Sequence, residues 1–150
     1  MLTTRVAPAW VDYNGHMNDA EYARVFSMAV EAFADAIGLD ESGRREHQVT
    51  LFTLETHLCY LAQAREDEAL TTSIEILDRD AKRLHVFFRL KNSADQLIAT
   101  SEQMLMAMAL SSERPTALPE TVDWAVDRLG PLDPDNWPDQ AGRHVGIRRR

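Results

Sequence analysis

The stretch WVDYNGHMNDAEYARVF, residues 10 to 26, concentrates groups able to move protons or to answer a developing negative charge. Asp12 is a carboxylate, a group able to act as a nucleophile or as a general base. Gly15 lets a backbone turn sharply and approach a ligand closely. His16 is a candidate proton carrier, metal ligand or orienting donor to nearby backbone. Asn18 and Asp19 stand where a helical pattern begins, and Asn there is first of all a helix cap. One capping residue suffices to start a helix, so this density of polar groups calls for a further role. A plain alternative stays open for Asp12, because Asp in VDYNG also suits a turn stabilised by side-chain to backbone bonds.

The elements that must position these residues are legible from periodicity. Tyr22, Phe26, Ala29, Val30, Phe33 and Ile37 recur at intervals of three and four, with Glu21, Arg24, Met28, Glu31 and Asp35 on the other side. That pattern predicts a helix of about five turns with one apolar face. Asn18 followed by Glu21 predicts a capping box, and Gly38 a left-handed C-terminal turn. Ahead of it, LTTRVAPAWV is a short extended segment bent or ended by Pro8. After a loop, DESGRREHQ, the period becomes two: residues 49–64, 69–78, 83–91 and 96–110 are expected strands. Short polar links, REDE, DRDAK and NSAD, predict antiparallel hairpins between successive strands, since a parallel return needs a longer crossover. A short helix is expected from Pro119 to Gly130, followed by an irregular tail. The fold class is α+β: one domain over residues 1–150, a long helix and then an antiparallel meander. The first and last long strands are apolar on both faces, which favours a subunit contact.

Composition excludes several classes of function. A chain of 150 residues suits a single core that buries about two thirds of the unfolded surface. Its net charge of −8 argues against a nucleic-acid binder, despite the terminal RRR. No run of about 18 apolar residues is present to span a bilayer, and the start lacks a secretory pattern, so a cytoplasmic location is expected. The single cysteine, Cys59, lies in the apolar run HLCYL and is expected as a small packed residue. No Cys/His spacing suits a metal, and none is expected.

The turn D-x-x-G-H-x-N, the long helix and the four antiparallel strands together resemble the hotdog fold, over roughly residues 3–110. Within it, the chain resembles acyl-CoA thioesterases of the 4-hydroxybenzoyl-CoA thioesterase type. VDYNGHMNDAEYARVFS, ETHLCYLAQA, DAKRLH, SEQMLM and the tail GRHVGIRR narrow the resemblance to the betainyl-CoA thioesterases of carnitine breakdown. The resemblance implies hydrolysis of betainyl-CoA to glycine betaine and free CoA, with Asp12 as nucleophile or general base. It also implies an oxyanion hole at the helix start, the amide of Asp19 or its neighbour facing the carbonyl oxygen. Unpaired N–H groups and about half a positive charge at the N-terminus suit that task. No strong acid is needed, because a thiol of pKa about 8.5 leaves readily as thiolate. CoA is then part of the substrate, no separate cofactor is expected, and a homodimer or homotetramer is implied.

Other residues are weaker candidates. Glu55 and His57 share a strand face, and a carboxylate in an apolar strand is costly unless paired or useful. Glu55 is expected either to pair with Lys82 or Arg83, or to meet the cationic head of a betaine group. A trimethylammonium ion has no N–H, so its recognition depends on aromatic faces, for which Trp10, Tyr13, Phe52 and Tyr60 are candidates; Phe52 suits the core better. CoA phosphates need a local basic patch, from Lys82, Arg83 and Arg89 or from Arg143 and Arg148. The competing functions are hydrolysis of an aromatic or fatty acyl-CoA, and acyl-CoA binding without catalysis. A hotdog dehydratase is disfavoured, since the helix lacks a His and carboxylate pair.

Overall fold

The computed structural model describes residues 1–147 and 149. Five strands are observed: β1 (Leu2–Arg5), β2 (Val49–Tyr60), β3 (Ala69–Arg79), β4 (Arg83–Lys91) and β5 (Leu97–Ala109). Three α-helices accompany them: α1 (Asp19–Ala36), α2 (Glu41–His47) and α3 (Glu120–Leu129). Every strand pair is antiparallel, in the order β1-β3-β4-β5-β2. A long helix against such a sheet is the expected hotdog arrangement. Among the described residues no helix is long and apolar enough to cross a membrane.

Residues paired directly across neighbouring strands share a face. Two rows, Thr56–Gln103–Val86–Ile76 and Leu58–Ser101–Phe88–Ile74, therefore form one side of the sheet. This side meets α1, whose Tyr22, Val25, Phe26, Ala29, Phe33 and Ala34 are buried. The Phe26 and Phe88 rings lie 6.1 Å apart at the centre of that layer. The C-terminal tail covers part of the other side. It is tied to β3 by the Leu132 N–H donating to Ile76 O, and Trp137 meets His85 edge to face.

Two expectations change. The four long strands are not a simple meander, because β2 pairs with β5 and is three strands away from β3. The physical reason is reach: residues 61–68 extend to roughly 26 Å, whereas three strand spacings need only about 14 Å. A short polar link therefore does not force adjacency. The segment DESGRREHQ is not a loop; it contains α2, capped by the Asp40 carboxylate, which accepts from Gly43 N at 2.7 Å. Gly43 is required by contact, since a Cβ there would stand 2.0 Å from the Gly38 carbonyl oxygen.

Candidate active site

The residues from Trp10 to Asn18 form a small ladder that returns the chain to the start of α1. Asn18 N donates to Trp10 O at 2.8 Å, Val11 bridges Met17, and Asp12 N donates to His16 O at 2.9 Å. The turn closes through Gly15 at φ +74°, a left-handed conformation that glycine adopts without strain. No atom lies within 4 Å of a Cβ built at Gly15, so the glycine serves the turn rather than a close approach within this chain.

Asp12 is both a turn residue and a free carboxylate. Its Oδ1 accepts from Asn14 N at 2.8 Å and from His16 N at 3.2 Å. These two amides orient the exposed side chain, and among the described residues Oδ2 has no partner. His16 contributes through its main chain: its N–H and carbonyl hold Asp12, and its backbone bridges Arg65. The expected ring-to-backbone bond from His16 is not formed among the described residues.

The start of α1 supplies donors beside this turn. Asn18 Oδ1 accepts from Ala20 N at 3.1 Å, and Asp19 Oδ1 accepts from the same amide at 2.9 Å. Glu21 N donates to Asn18 O, leaving the Asp19 N–H without an acceptor among the described residues. The expected capping box is not formed: Asn18 is a simple cap on the Ala20 N–H and not on that of Glu21. Glu21 turns to Arg24 at 2.5 Å instead of reaching back, because Asn18 N is already bonded to Trp10.

The link from β2 to β3 passes over this helix end and fixes it. Met17 N donates to Ala64 O at 2.8 Å, Ala64 N donates to the Tyr22 hydroxyl at 3.0 Å, and that hydroxyl donates to Ala62 O at 3.2 Å. Tyr60 packs edge to face on Tyr22 at 5.3 Å, and its hydroxyl donates to Asp19 O at 3.4 Å. Burial raises the Tyr60 hydroxyl above the usual phenol value, and the nearby Asp19 charge adds to the shift. Burial likewise raises the Tyr22 hydroxyl, so both tyrosines remain protonated at neutral pH.

The structure gathers Trp10, Asp12, Tyr13, Gly15, His16, Asn18, Asp19 and Tyr60 around one helix end. Tyr13 is 97% exposed there, at the tip of the turn. Glu55 is not brought to this place within the chain. A β-bulge between Thr53 and Glu55 shifts the register, so Thr53 pairs with Leu105 but Glu55 pairs with Met104. The bulge turns Glu55, His57 and Cys59 to the face opposite α1. Neither expected ion pair of Glu55 exists, since Arg83 binds Asp80 at 2.6 Å and Lys82 makes no ion pair among the described residues. Cys59 is half-buried beside His57, 4.0 Å from its Nε2, and not part of the main core. Phe52 is 46% exposed and likewise outside the core.

Lys82 and Arg83 lie at the end of the sheet remote from Tyr60: Arg83 pairs with Met106, whereas Tyr60 pairs with Ala99. Arg89 is neutralised by Glu75. Arg143 lines a cavity on the outer face, and Arg148 lies outside the described residues. A cation the sequence reading missed is Arg65, held beside the Asp12 turn by its bridge to His16 and free of ion pairs among the described residues. Its only signal was a basic residue within a link that otherwise resembled a hairpin turn.

The arrangement sets a carboxylate with one free oxygen in a turn that the Trp10–Asn18 ladder ties to the start of α1, where the Asp19 amide is unpaired among the described residues. Residues 6–126 match the family model described as the thioesterase-like superfamily. The chain is 43% identical over 112 residues to betainyl-CoA thioesterase of Pseudomonas aeruginosa, covering 74% of this chain and 70% of that protein. It is 35% identical over 158 residues to L-carnitine dehydrogenase/betainyl-CoA thioesterase of Rhizobium meliloti, covering 99% of this chain and 30% of that longer protein. Among solved structures, it is similar to a hypothetical protein of Staphylococcus aureus in complex with CoA. That likeness has a TM-score of 0.90 at 33% identity, covering 98% of this chain and 94% of the other.

Proposed function

This chain belongs to the thioesterase-like superfamily, and on that premise we propose that it hydrolyses an acyl-CoA thioester, with betainyl-CoA as substrate. The observation that carries the reading is the short ladder from Trp10 to Asn18, which joins the turn bearing the free Asp12 oxygen to the start of α1 and its unpaired Asp19 amide. The relatives named betainyl-CoA thioesterase supply the acyl group, and the CoA-bound relative supports the carrier.

In the proposed reaction the thioester carbonyl lies against the Asp19 N–H. As its oxygen becomes negative, that donor and the helix dipole stabilise it. The Asp12 oxygen either attacks the carbon to give a mixed anhydride, which water then opens, or takes a proton from attacking water. In both routes the C–S bond breaks and CoA leaves as thiolate, then takes up a proton. Glycine betaine is the other product. Trp10, Tyr13 and Tyr60 offer aromatic faces to the trimethylammonium group, and the carboxylates of Asp12 and Asp19 favour its charge. Arg65 is placed to meet a CoA phosphate.

The working unit is a homodimer joined through β2. This strand runs for 12 residues along the edge of the sheet, with Leu54 54% and Phe52 46% exposed. A long apolar edge with unpaired backbone groups is a template for pairing with another strand. An antiparallel β2–β2 contact brings the Arg83 end of one sheet alongside the Tyr60 end of the other. Lys82 and Arg83 then act toward CoA from the second subunit.

The direct test is thiol release from betainyl-CoA, 4-hydroxybenzoyl-CoA, a short acyl-CoA and a long one. A clear preference for betainyl-CoA is expected. Equal turnover of all four would refute the acyl assignment, and release from none would refute hydrolysis.

A further inference from the structure

The face of the sheet turned away from α1 carries a cavity of about 220 Å³. Glu55 and His57 of β2, His85 of β4, Glu102 and Met104 of β5, and Arg143 of the tail form its walls. One of its charges is already answered. Glu102 meets His85 Nε2 at 2.7 Å through one oxygen and accepts from Gly142 N at 2.7 Å through the other. Glu55 and Arg143, in contrast, make no ion pair among the described residues, and Arg143 Nε is buried without an acceptor.

An unanswered carboxylate and an unanswered guanidinium in one cavity are complementary to a ligand that carries both charges. We propose that this cavity binds a small zwitterion, its carboxylate on Arg143 and its ammonium group toward Glu55. A guanidinium fork suits a carboxylate. The thioether of Met104 is a soft, adaptable surface for methyl or methylene groups on the cationic end. A simple anion would meet Glu55 and Glu102, and a simple cation would meet Arg143, so neither half binds well alone. A metal ion fits less well, because among the described residues no group of three or more His, Cys, Asp or Glu is arranged to hold one. This inference rests on the outer face and does not require hydrolysis at the Asp12 turn.

Trp137 provides a built-in reporter. Its ring stands edge to face with His85 at 5.4 Å, and its Nε1–H is buried without an acceptor. Trp10, beside the Asp12 turn, reports separately on the catalytic site. The experiment is a titration of the full ¹⁵N-labelled chain with glycine betaine, and separately with acetate and with choline, following the indole N–H signals. A saturable shift of the Trp137 signal with the zwitterion is expected. It should be weakened by about tenfold or more in Glu55→Gln and in Arg143→Gln, and partly retained in Arg143→Lys. Acetate and choline at the same concentrations should leave that signal unsaturated. A still Trp137 signal, a shift confined to Trp10, equal responses to acetate or choline, or undiminished binding in both variants would each overturn the proposal.

Discussion

Replacing Asp12 by Asn separates catalysis from turn formation. The amide oxygen of Asn can still accept from Asn14 N and His16 N, at present 2.8 and 3.2 Å from Oδ1. What disappears is the charge on the free second oxygen. Both bonds are exposed, so replacing charge-assisted bonds by neutral ones costs about 1 kcal/mol in total, or about 2–4 °C in Tm for a chain of this size. A lost general base costs about 10²–10⁴ in rate, equivalent to about 2.7–5.5 kcal/mol of barrier. Asp12→Ala is the control, since it removes the single acceptor of both side-chain bonds and leaves only the backbone bonds to close the turn. The assay is thiol release from betainyl-CoA, with thermal unfolding measured on the same preparations. The expected result is a fall in kcat of at least about a hundredfold in Asp12→Asn with a nearly native Tm. Turnover within about threefold of the parent would refute the catalytic role and leave Asp12 a turn residue. Equal unfolding of the Asn and Ala variants, with activity lost in proportion, would refute the claim that the turn survives the change.

Two further outcomes follow from the same geometry. Leu54→Lys puts a charge on the exposed β2 edge and should convert the proposed homodimer to monomer at micromolar concentration, with loss of turnover; light scattering of a dimeric variant would refute the edge pairing. Asp80 has its pKa lowered from 3.8 to about 2, first by accepting the Lys82 N–H and then by the Arg83 side chain. A depressed carboxylate stabilises the fold above its unfolded value and loses that contribution as pH falls through the folded one, here from about 4 to about 2. Because Asp80 is exposed, the effect is modest and screened by salt. Thermal unfolding in low salt should show a shallower loss of Tm across this window in Asp80→Asn than in the parent, and identical slopes would refute the linkage.

Local repetition along the chain made several elements legible without coordinates. The spacing from Tyr22 to Ile37 determined the buried face of α1, because side chains three and four apart lie on one side of a helix. Alternation located the four long strands, and Pro119 and Gly130 bracketed α3, whose ends they form. Asp12, Gly15 and Asn18 were legible because a turn and a cap are made by residues close in the chain, and their types carry the reason. Features that depend on partners distant in sequence emerged only from the fold. The place of β2 beside β5 follows from long-range pairing that no link length specifies. The face taken by Glu55 follows from one bulge: strict alternation from Val49 and Leu51 would have turned it inward, and the extra residue turned it outward. The cavity between Glu55 and Arg143, and the approach of Arg65 to His16, likewise exist only because separate segments cross. Periodicity is a property of neighbours along the chain, whereas a site assembled across strands depends on register, and a single residue of register reverses every side chain beyond it.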